Sequence, residues 1–168
     1  EKIALIGPHI ATARSFFGGY THYSMTEGSV VKAKEQKAGE QGKHLETWPG
    51  SCVLKDDDPA YETLLKKLKP DCRSLLEEAE IRFGKEHIAW ERGYDVAGTD
   101  TSGFDSALRL AEEADLVVLT IGGKYGTRKT ATMAEGVDSV NINLPPAQEN
   151  FLRKLEKLGK KVIGIHMD

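Results

Sequence analysis

The sequence predicts a three-layer α/β/α sandwich built on a mostly parallel sheet. Short apolar runs alternate along the chain with longer segments of helical periodicity, as expected of parallel strands joined by crossover helices. The run Leu116–Ile121 is almost entirely apolar, which is typical of a parallel strand whose two faces are both covered by helices. A length of 168 residues suits one such domain.

The first third of the chain predicts one strand, one short helix and a long irregular segment. Lys2 to Gly7 has the composition of a strand that ends at Gly7-Pro8. A short helix is predicted from Ala11 to Phe17 and would end at Gly18-Gly19. The segment from about residue 32 to residue 59 is rich in Lys, Glu, Gly and Asp without sustained periodicity, which indicates a loop or an insertion.

The middle of the chain predicts two helices and the second strand. Leucines at helical spacing indicate a helix from Ala60 to Leu68, and Pro70 would end it. Asp71 is predicted to cap the next helix, whose apolar stripe runs to Gly84. His87–Glu91 then predicts a strand.

The last third repeats this alternation. Ser102 is predicted to cap a helix over residues 103–114, which leads into the strand Leu116–Ile121. A polar, glycine-containing loop follows from Gly122 to about residue 145. An amphipathic helix from Gln148 to Leu158 and a strand over Lys161–His166 complete the pattern.

Composition narrows the possible partners. The net charge of -3 comes from acidic and basic residues mixed along the chain, so neither nucleic acid nor an anionic membrane surface is an expected partner. No apolar run is long enough for a transmembrane span, and no leader pattern opens the chain.

Cys52 and Cys72 are predicted to be free thiols, which favours a cytoplasmic protein over a disulfide-bonded one. No histidine pair has metal-ligand spacing, so no metal and no cofactor are predicted.

The predicted loop from Gly122 to Asn143 is the richest candidate site. In an open parallel sheet, ligands bind outside the carboxyl ends of the strands. This loop is longer than a crossover requires, and long loops in compact domains are usually functional or disordered. Its candidate residues are Lys124, Tyr125, Glu135, Gly136 and Asp138. A glutamate covered by substrate can act as a general acid, although an acidic pair in a loop is more often solvent-facing or capping.

Two further interpretations concern the glycine-rich segments after the strands. Neither the loop after Ile6 nor the loop after Ile121 has the spacing of a phosphate-binding motif, so nucleotide binding is not expected. Tyr20 follows Gly18-Gly19, and an aromatic face there could pack on a sugar ring or belong to the core.

Seven segments in order carry a family resemblance. They are Lys2–Pro8, Gly18–Tyr20, Glu91–Asp95, Ala111–Leu119, Ala134–Asp138, Asn143–Gln148 and Gly159–Ile163. Together they resemble the C-terminal α/β sandwich domain of family 3 glycoside hydrolases, the β-glucosidase and β-xylosidase group. The resemblance runs from Lys2 to Asp168 apart from residues 32–59.

The resemblance implies an incomplete catalytic apparatus. In that family a preceding (β/α)₈ barrel carries the aspartate nucleophile, and the sandwich domain lends a loop with the general acid/base, which Glu135 matches. The implied reaction is retaining hydrolysis of terminal β-linked sugars, in oligosaccharides or aryl glycosides, with β-glucosidase activity expected first and β-xylosidase activity second. The resemblance also suggests that Asp138 and Gly136 support the loop, while Ser139 and Pro146 depart from the family pattern.

Further expectations concern partners and alternatives. Lys124, Tyr125 and Tyr20 are candidate substrate contacts, and without the barrel the 168 residues are expected to be inactive. Family members continue beyond the Lys161–His166 strand, so the sheet is expected to be incomplete at its C-terminal end, and its uncovered edge could cause self-association.

The alternatives are a non-catalytic carbohydrate-binding or interaction domain, and a relative that acts on N-acetylglucosaminides through a barrel histidine and does not need Glu135.

Overall fold

The computed structural model describes residues 1–126, 128–133 and 141–167, and this part of the chain contains four strands and five α-helices. The strands are β1 (Ile3–Ile6), β2 (Ile88–Glu91), β3 (Leu116–Gly122) and β4 (Val162–Met167). The helices are α1 (His22–Glu40), α2 (Pro59–Leu68), α3 (Leu75–Phe83), α4 (Phe104–Glu113) and α5 (Pro146–Glu156).

All four strands are parallel and lie in the order β2-β1-β3-β4. In the centre of the sheet Ile6 of β1 pairs with Leu119 of β3, and on its other side Ile6 pairs with Glu91 of β2. Helices lie between successive strands in the sequence, as parallel pairing requires. The predicted α/β fold class is confirmed.

The two faces of the sheet carry separate apolar clusters. Ile6 and Leu119 pack on one face with Phe151 of α5 and Phe104 of α4, whose rings meet edge to face at 5.3 Å. Leu5 points to the opposite face and packs against Ala79 of α3. Because side chains alternate along a strand, the continuous apolar runs of β1 and β3 supply both clusters.

Helix α1 corrects the first part, residues 32–40, of the loop or insertion predicted over residues 32–59. The helix begins after Thr21, whose side chain accepts a hydrogen bond from the Ser24 amide, and continues to Glu40. Its buried positions include Tyr23, Glu27 and Val31 at four-residue spacing. A carboxylate in the middle of the buried stripe hides the apolar periodicity by which a helix is recognised. Residues 41–58 are irregular apart from one isolated bridge between Thr47 and Leu54.

Three helix predictions also differ from the structure. Ser74 rather than Asp71 caps α3, because Ser74 and Glu77 form a reciprocal capping box. Ser102 does not cap α4, since its amide and hydroxyl both bond to Asp100. The helix predicted from residue 11 to residue 17 is only a 3₁₀ turn at Arg14–Phe16, because so short a segment cannot offset the cost of helix nucleation.

The described residues can be compared with two further expectations from the sequence. None of their helices is both long enough and apolar enough to cross a bilayer. Cys52 and Cys72 are free, as predicted. The cytoplasmic location inferred from them stays a prediction.

Candidate functional site

The strand order has a switch point between β1 and β3, where the connections change from one side of the sheet to the other. From β1 the chain leads to β2 on one side of the sheet, whereas from β3 it leads to β4 on the other side. Crevices that bind ligands form at such a switch point, outside the carboxyl ends of the two strands. Gly7 ends β1 with φ +134°, and a Cβ on it would lie 2.4 Å from the carbonyl oxygen of Thr120. Glycine therefore allows the two strand ends to approach, and both candidate loops begin there.

His9 joins the two loops in the interior. Its Nε2 lies 2.7 Å from the carbonyl oxygen of Gly123, and its backbone amide donates to the Thr120 hydroxyl at 3.3 Å. Because a carbonyl oxygen only accepts, Nε2 carries the proton and Nδ1 is the unprotonated nitrogen. Nδ1 is buried without a hydrogen-bond partner among the described residues. Burial lowers the pKa of His9 below 6.5, so the ring is neutral at pH 7.

Gln148 of α5 fixes the end of β3. Its Oε1 accepts from the Gly122 amide at 2.8 Å, and its Nε2 donates to the Gly122 carbonyl at 2.8 Å and to the Asp95 carbonyl at 3.0 Å. The side chain is fully buried and pairs with Gly122 much as a neighbouring strand would. Gln148 therefore ties the loop after β3 to the loop after β2.

Four charged side chains form a buried ion cluster beside these strand ends. The cluster consists of Arg14, Glu27 of α1, Asp56 and Lys124. Glu27 lies 2.5 Å from the Arg14 guanidinium and 2.9 Å from the Lys124 ammonium, and Asp56 lies 3.1 and 3.2 Å from the same two groups. Tyr23 adds a hydroxyl that donates to Glu27 at 2.9 Å and accepts from Arg14. Two positive and two negative charges thus balance in the interior.

The charges of the ion cluster depend on one another. Burial alone would raise the pKa of Glu27 and of Asp56, but Lys124 and Arg14 hold both below their ordinary values. Burial alone would lower the pKa of Arg14, but Asp56 and Glu27 raise it. Arg14, Glu27 and Asp56 are therefore charged at pH 7. Removing one partner from such a buried pair costs roughly 3–5 kcal/mol, because the remaining charge is left uncompensated.

The ion cluster holds the beginning of the loop after β3, and that loop closes on itself. The amide of Lys124 donates to the Thr132 hydroxyl at 2.7 Å, and the Thr132 amide donates to the Lys124 carbonyl at 3.0 Å. Tyr125 forms a β-bridge with Met133, and the Gly126 amide donates to the Met133 carbonyl at 3.3 Å. These contacts bring the chain at Met133 back to the carboxyl end of β3.

The loops after β1 and β3 meet at Gly19. A Cβ on Gly19 would lie 2.6 Å from the Tyr125 ring and 3.1 Å from the Gly126 carbonyl oxygen. Tyr20, the next residue, is 69% exposed. The structure thus brings the two candidate loops together, with Tyr20 and Tyr125 on adjoining segments.

The other predicted site residues have different placements. Lys124 is only 3% exposed, and its ammonium is paired with Glu27 and Asp56. Substrate binding by Lys124 stays a prediction, but the ammonium that would make the contact is buried. Glu135, Gly136 and Asp138 lie outside the described residues.

Sequence reasoning missed several residues of this site. Arg14, Glu27, Asp56 and Gln148 were not candidates, because each acts through partners between 13 and 97 residues away. One usable signal was the spacing of Tyr23, Glu27 and Val31, which would indicate a helix whose buried face includes a charge. Among the described residues no group of three or more His, Cys, Asp or Glu side chains is arranged to hold a metal ion.

Comparison with known proteins gives a family match and several partial relatives. The family model described as "Glycosyl hydrolase family 3 C-terminal domain" matches residues 1–167. A probable exo-1,4-beta-xylosidase of Aspergillus fumigatus is 41% identical over 85 residues, which are 46% of this chain and 10% of that protein. A beta-xylosidase of Formosa agariphila is 30% identical over 100 residues, 58% of this chain and 13% of that protein. The matched residues therefore span only about a tenth of the length of these relatives.

Two solved structures share the fold over 98% of the chain. One is an exo-beta-xylosidase in complex with a xylobiose aziridine activity-based probe, with a TM-score of 0.55 and 21% identity over 15% of that chain. The other is a beta-glucosidase from Listeria innocua in complex with isofagomine, with a TM-score of 0.53 and 19% identity over 16% of that chain. At these identities the likeness supports the fold alone.

Proposed function

Because the chain belongs to the glycosyl hydrolase family 3 C-terminal domain family, we propose that it is the part of a retaining β-glycosidase that carries the general acid/base, Glu135. In this proposal a separate barrel domain of the same enzyme supplies the nucleophile and most of the sugar pocket. Asp138 and Gly136 support the loop, and Tyr20 and Tyr125 contact the sugar.

The observation that carries the proposal is the anchoring of the loop after β3. Met133, two residues before Glu135 in the sequence, pairs with Tyr125 in a β-bridge and is hydrogen-bonded to the backbone of Lys124 and Gly126, just after the carboxyl end of β3. That end of the sheet is the switch point, where ligands of open parallel sheets bind. A catalytic group works best when its supporting backbone is fixed in this way.

The proposed chemistry has two steps. In the first, the protonated Glu135 carboxyl donates its proton to the glycosidic oxygen as the sugar is transferred to a carboxylate nucleophile. In the second, the Glu135 carboxylate takes a proton from a water molecule, which attacks the glycosyl-enzyme and releases the sugar with its original configuration.

The substrate class proposed first is the β-xylosides. The curated relatives from Aspergillus fumigatus and Formosa agariphila are both named xylosidases. β-Glucosides, which the resemblance of the sequence favours, are the second class to test, since a beta-glucosidase shares the fold.

Leaving-group dependence in the longer enzyme tests the role of Glu135. In Glu135→Ala, kcat/KM for a phenyl β-glycoside should fall by about 10²- to 10⁴-fold, because its leaving group needs protonation. A dinitrophenyl glycoside leaves without a proton, so its kcat/KM should change far less. Added azide should raise its kcat by replacing water in the second step and yield the β-glycosyl azide.

The exposed Glu156 offers a matched control. Glu156→Ala should behave as the wild type with both substrates. Wild-type hydrolysis of the phenyl glycoside by Glu135→Ala would refute the assignment and favour a non-catalytic binding domain. The 168 residues alone should hydrolyse neither substrate, since the proposed nucleophile lies in another domain.

A further inference from the structure

We infer that the ion cluster positions the loop after β3, whose sequence contains the proposed acid/base Glu135, so that Lys124 and Glu27 act as positioning residues for the reaction. This inference rests on the function proposed above. It assigns Lys124 a role inside the protein in place of a contact with the sugar.

Lys124 is suited to this role because its side chain and its backbone hold different parts of the molecule. Its ammonium binds Glu27 of α1 at 2.9 Å and Asp56 at 3.2 Å. Its amide and carbonyl groups both bond to Thr132, three residues before Glu135 in the sequence. One residue therefore connects the segment that precedes Glu135 to a helix and to a second loop.

The charge balance of the cluster favours a single arrangement. Each carboxylate contacts both cations, so a shift of Lys124 would leave Glu27 and Asp56 with Arg14 alone. An uncompensated buried charge is strongly disfavoured, and the penalty grows as water is excluded. Lys124 lies two residues after the end of β3, which borders the β1–β3 switch point, so its displacement would move the beginning of the loop.

A second contact holds the same loop from outside. The Leu54 amide donates to the Lys129 carbonyl at 2.8 Å, which ties the loop to the segment that carries Asp56. The Lys129 side chain is itself 71% exposed and lies 3.3 Å from the carboxylate of Glu35. Lys129 thus lies on the same loop as Lys124 but outside the ion cluster.

Leaving-group sensitivity in the longer enzyme tests the inference with Lys124→Met, which keeps the length of the side chain and removes its charge. Displacing a general acid by about 1 Å slows its proton transfer strongly, so kcat/KM for a phenyl β-glycoside should fall about 10- to 100-fold. The dinitrophenyl glycoside, which needs no proton, should lose much less. The ratio of the two values does not depend on the fraction of enzyme that is folded, so loss of stability alone would leave it unchanged.

Two milder variants guard against failure of Lys124→Met to fold. Glu27→Gln keeps the shape of the carboxylate, and Thr132→Val removes only the hydroxyl that accepts from the Lys124 amide. Both should change the ratio in the same direction, Thr132→Val by less. Glu27→Gln and Lys124→Met should be non-additive in the double variant, because they break the same contact. Lys129→Met is the matched control and should keep the wild-type ratio.

The outcomes separate this inference from the proposal beneath it. If Glu135→Ala changes the ratio and none of the cluster variants does, the positioning role is wrong and the acid/base assignment stands. An unchanged ratio in Glu135→Ala itself would overturn both. A ratio changed equally by Lys129→Met would also overturn the inference, since the effect would then belong to any change in the loop.

Discussion

His9 is a buried side chain from which we expect a pH response of the stability of this fold. Its protonated Nε2 donates to Gly123, and its unprotonated Nδ1 is enclosed without a hydrogen-bond partner among the described residues. A second proton would place a charge in the interior, which explains why burial lowers the pKa of His9 below 6.5. In the unfolded chain that proton binds with the ordinary pKa.

The free energy of unfolding should therefore fall as the pH falls below about 6.5. Between that value and the folded-state pKa the unfolded chain binds one more proton at His9, which lowers stability by up to about 1.4 kcal/mol per pH unit. Replacing His9 with Gln keeps an amide donor for Gly123 and cannot titrate. His9→Gln should have a flatter stability profile than the wild type in urea unfolding between about pH 7.5 and about pH 5.5.

The exposed His44 provides the control for this measurement. His44→Gln should reproduce the wild-type profile, and parallel profiles for His9→Gln and the wild type would contradict the prediction. Loss of stability below about pH 4 should persist in every variant. The lowered pKa values of Glu27 and Asp56 mean that their contribution disappears only when they are protonated.

Among the helices and strands, the predictions that succeeded were those for elements whose buried residues are apolar. The strand Leu116–Gly122 could be predicted because a parallel strand between two helical layers needs apolar residues at nearly every position. Helix α1 could not, because its buried stripe includes Glu27, whose compensation by Arg14 and Lys124 is visible only in three dimensions. The hydrophobic periodicity of the sequence therefore predicts helices and strands whose buried faces are apolar, and it misses a helix whose buried face includes a charge.

The contact between the two candidate loops gives a prediction at the same scale. Gly19→Ala would place a methyl group 2.6 Å from the Tyr125 ring and force that ring to move. We expect a loss of about 1–2 kcal/mol in the free energy of unfolding, as for other overpacked contacts. In the longer enzyme, KM should rise because Tyr20 and Tyr125 are the proposed sugar contacts. Urea unfolding and steady-state kinetics would measure the two effects.

The neighbouring glycine serves as the matched control. A Cβ on Gly18 would meet no atom within 4 Å, so Gly18→Ala should change the free energy of unfolding by less than about 0.5 kcal/mol. Equal effects of the two substitutions would show that chain flexibility, and not the contact with Tyr125, is responsible.

At the scale of the whole molecule, the fold was more predictable than the site. Fold class follows from the alternation of strands and helices, which local sequence reports. The ion cluster joins residues 14, 27, 56 and 124, and no local spacing connects positions so far apart. The sequence could predict that the candidate loops lie at the carboxyl ends of the strands. It could not predict the ion pairs of the cluster that holds the loop after β3.

The two edges of the sheet differ in how readily another chain could add to them. β4 is six residues long, contains no Lys, Glu or Asp, and exposes Val162 by 41% and Ile163 by 48%. β2 has only four residues and ends in Glu91. Long, apolar and uncharged edge strands favour pairing between chains, whereas short and charged ones resist it. Any self-association of the 168-residue chain should therefore occur through β4.

Sedimentation velocity over a range of concentrations would test this expectation. The 168-residue chain should associate as its concentration rises, and Ile163→Lys should weaken the association because it places a charge on the β4 edge. Ala89→Lys places the same charge on the exposed part of β2 and should leave the association unchanged. A chain that stays monomeric at all concentrations would contradict the prediction. Equal weakening of the association by Ala89→Lys would also contradict it, because pairing through β4 should be weakened by a charge on β4 and not by a charge on β2.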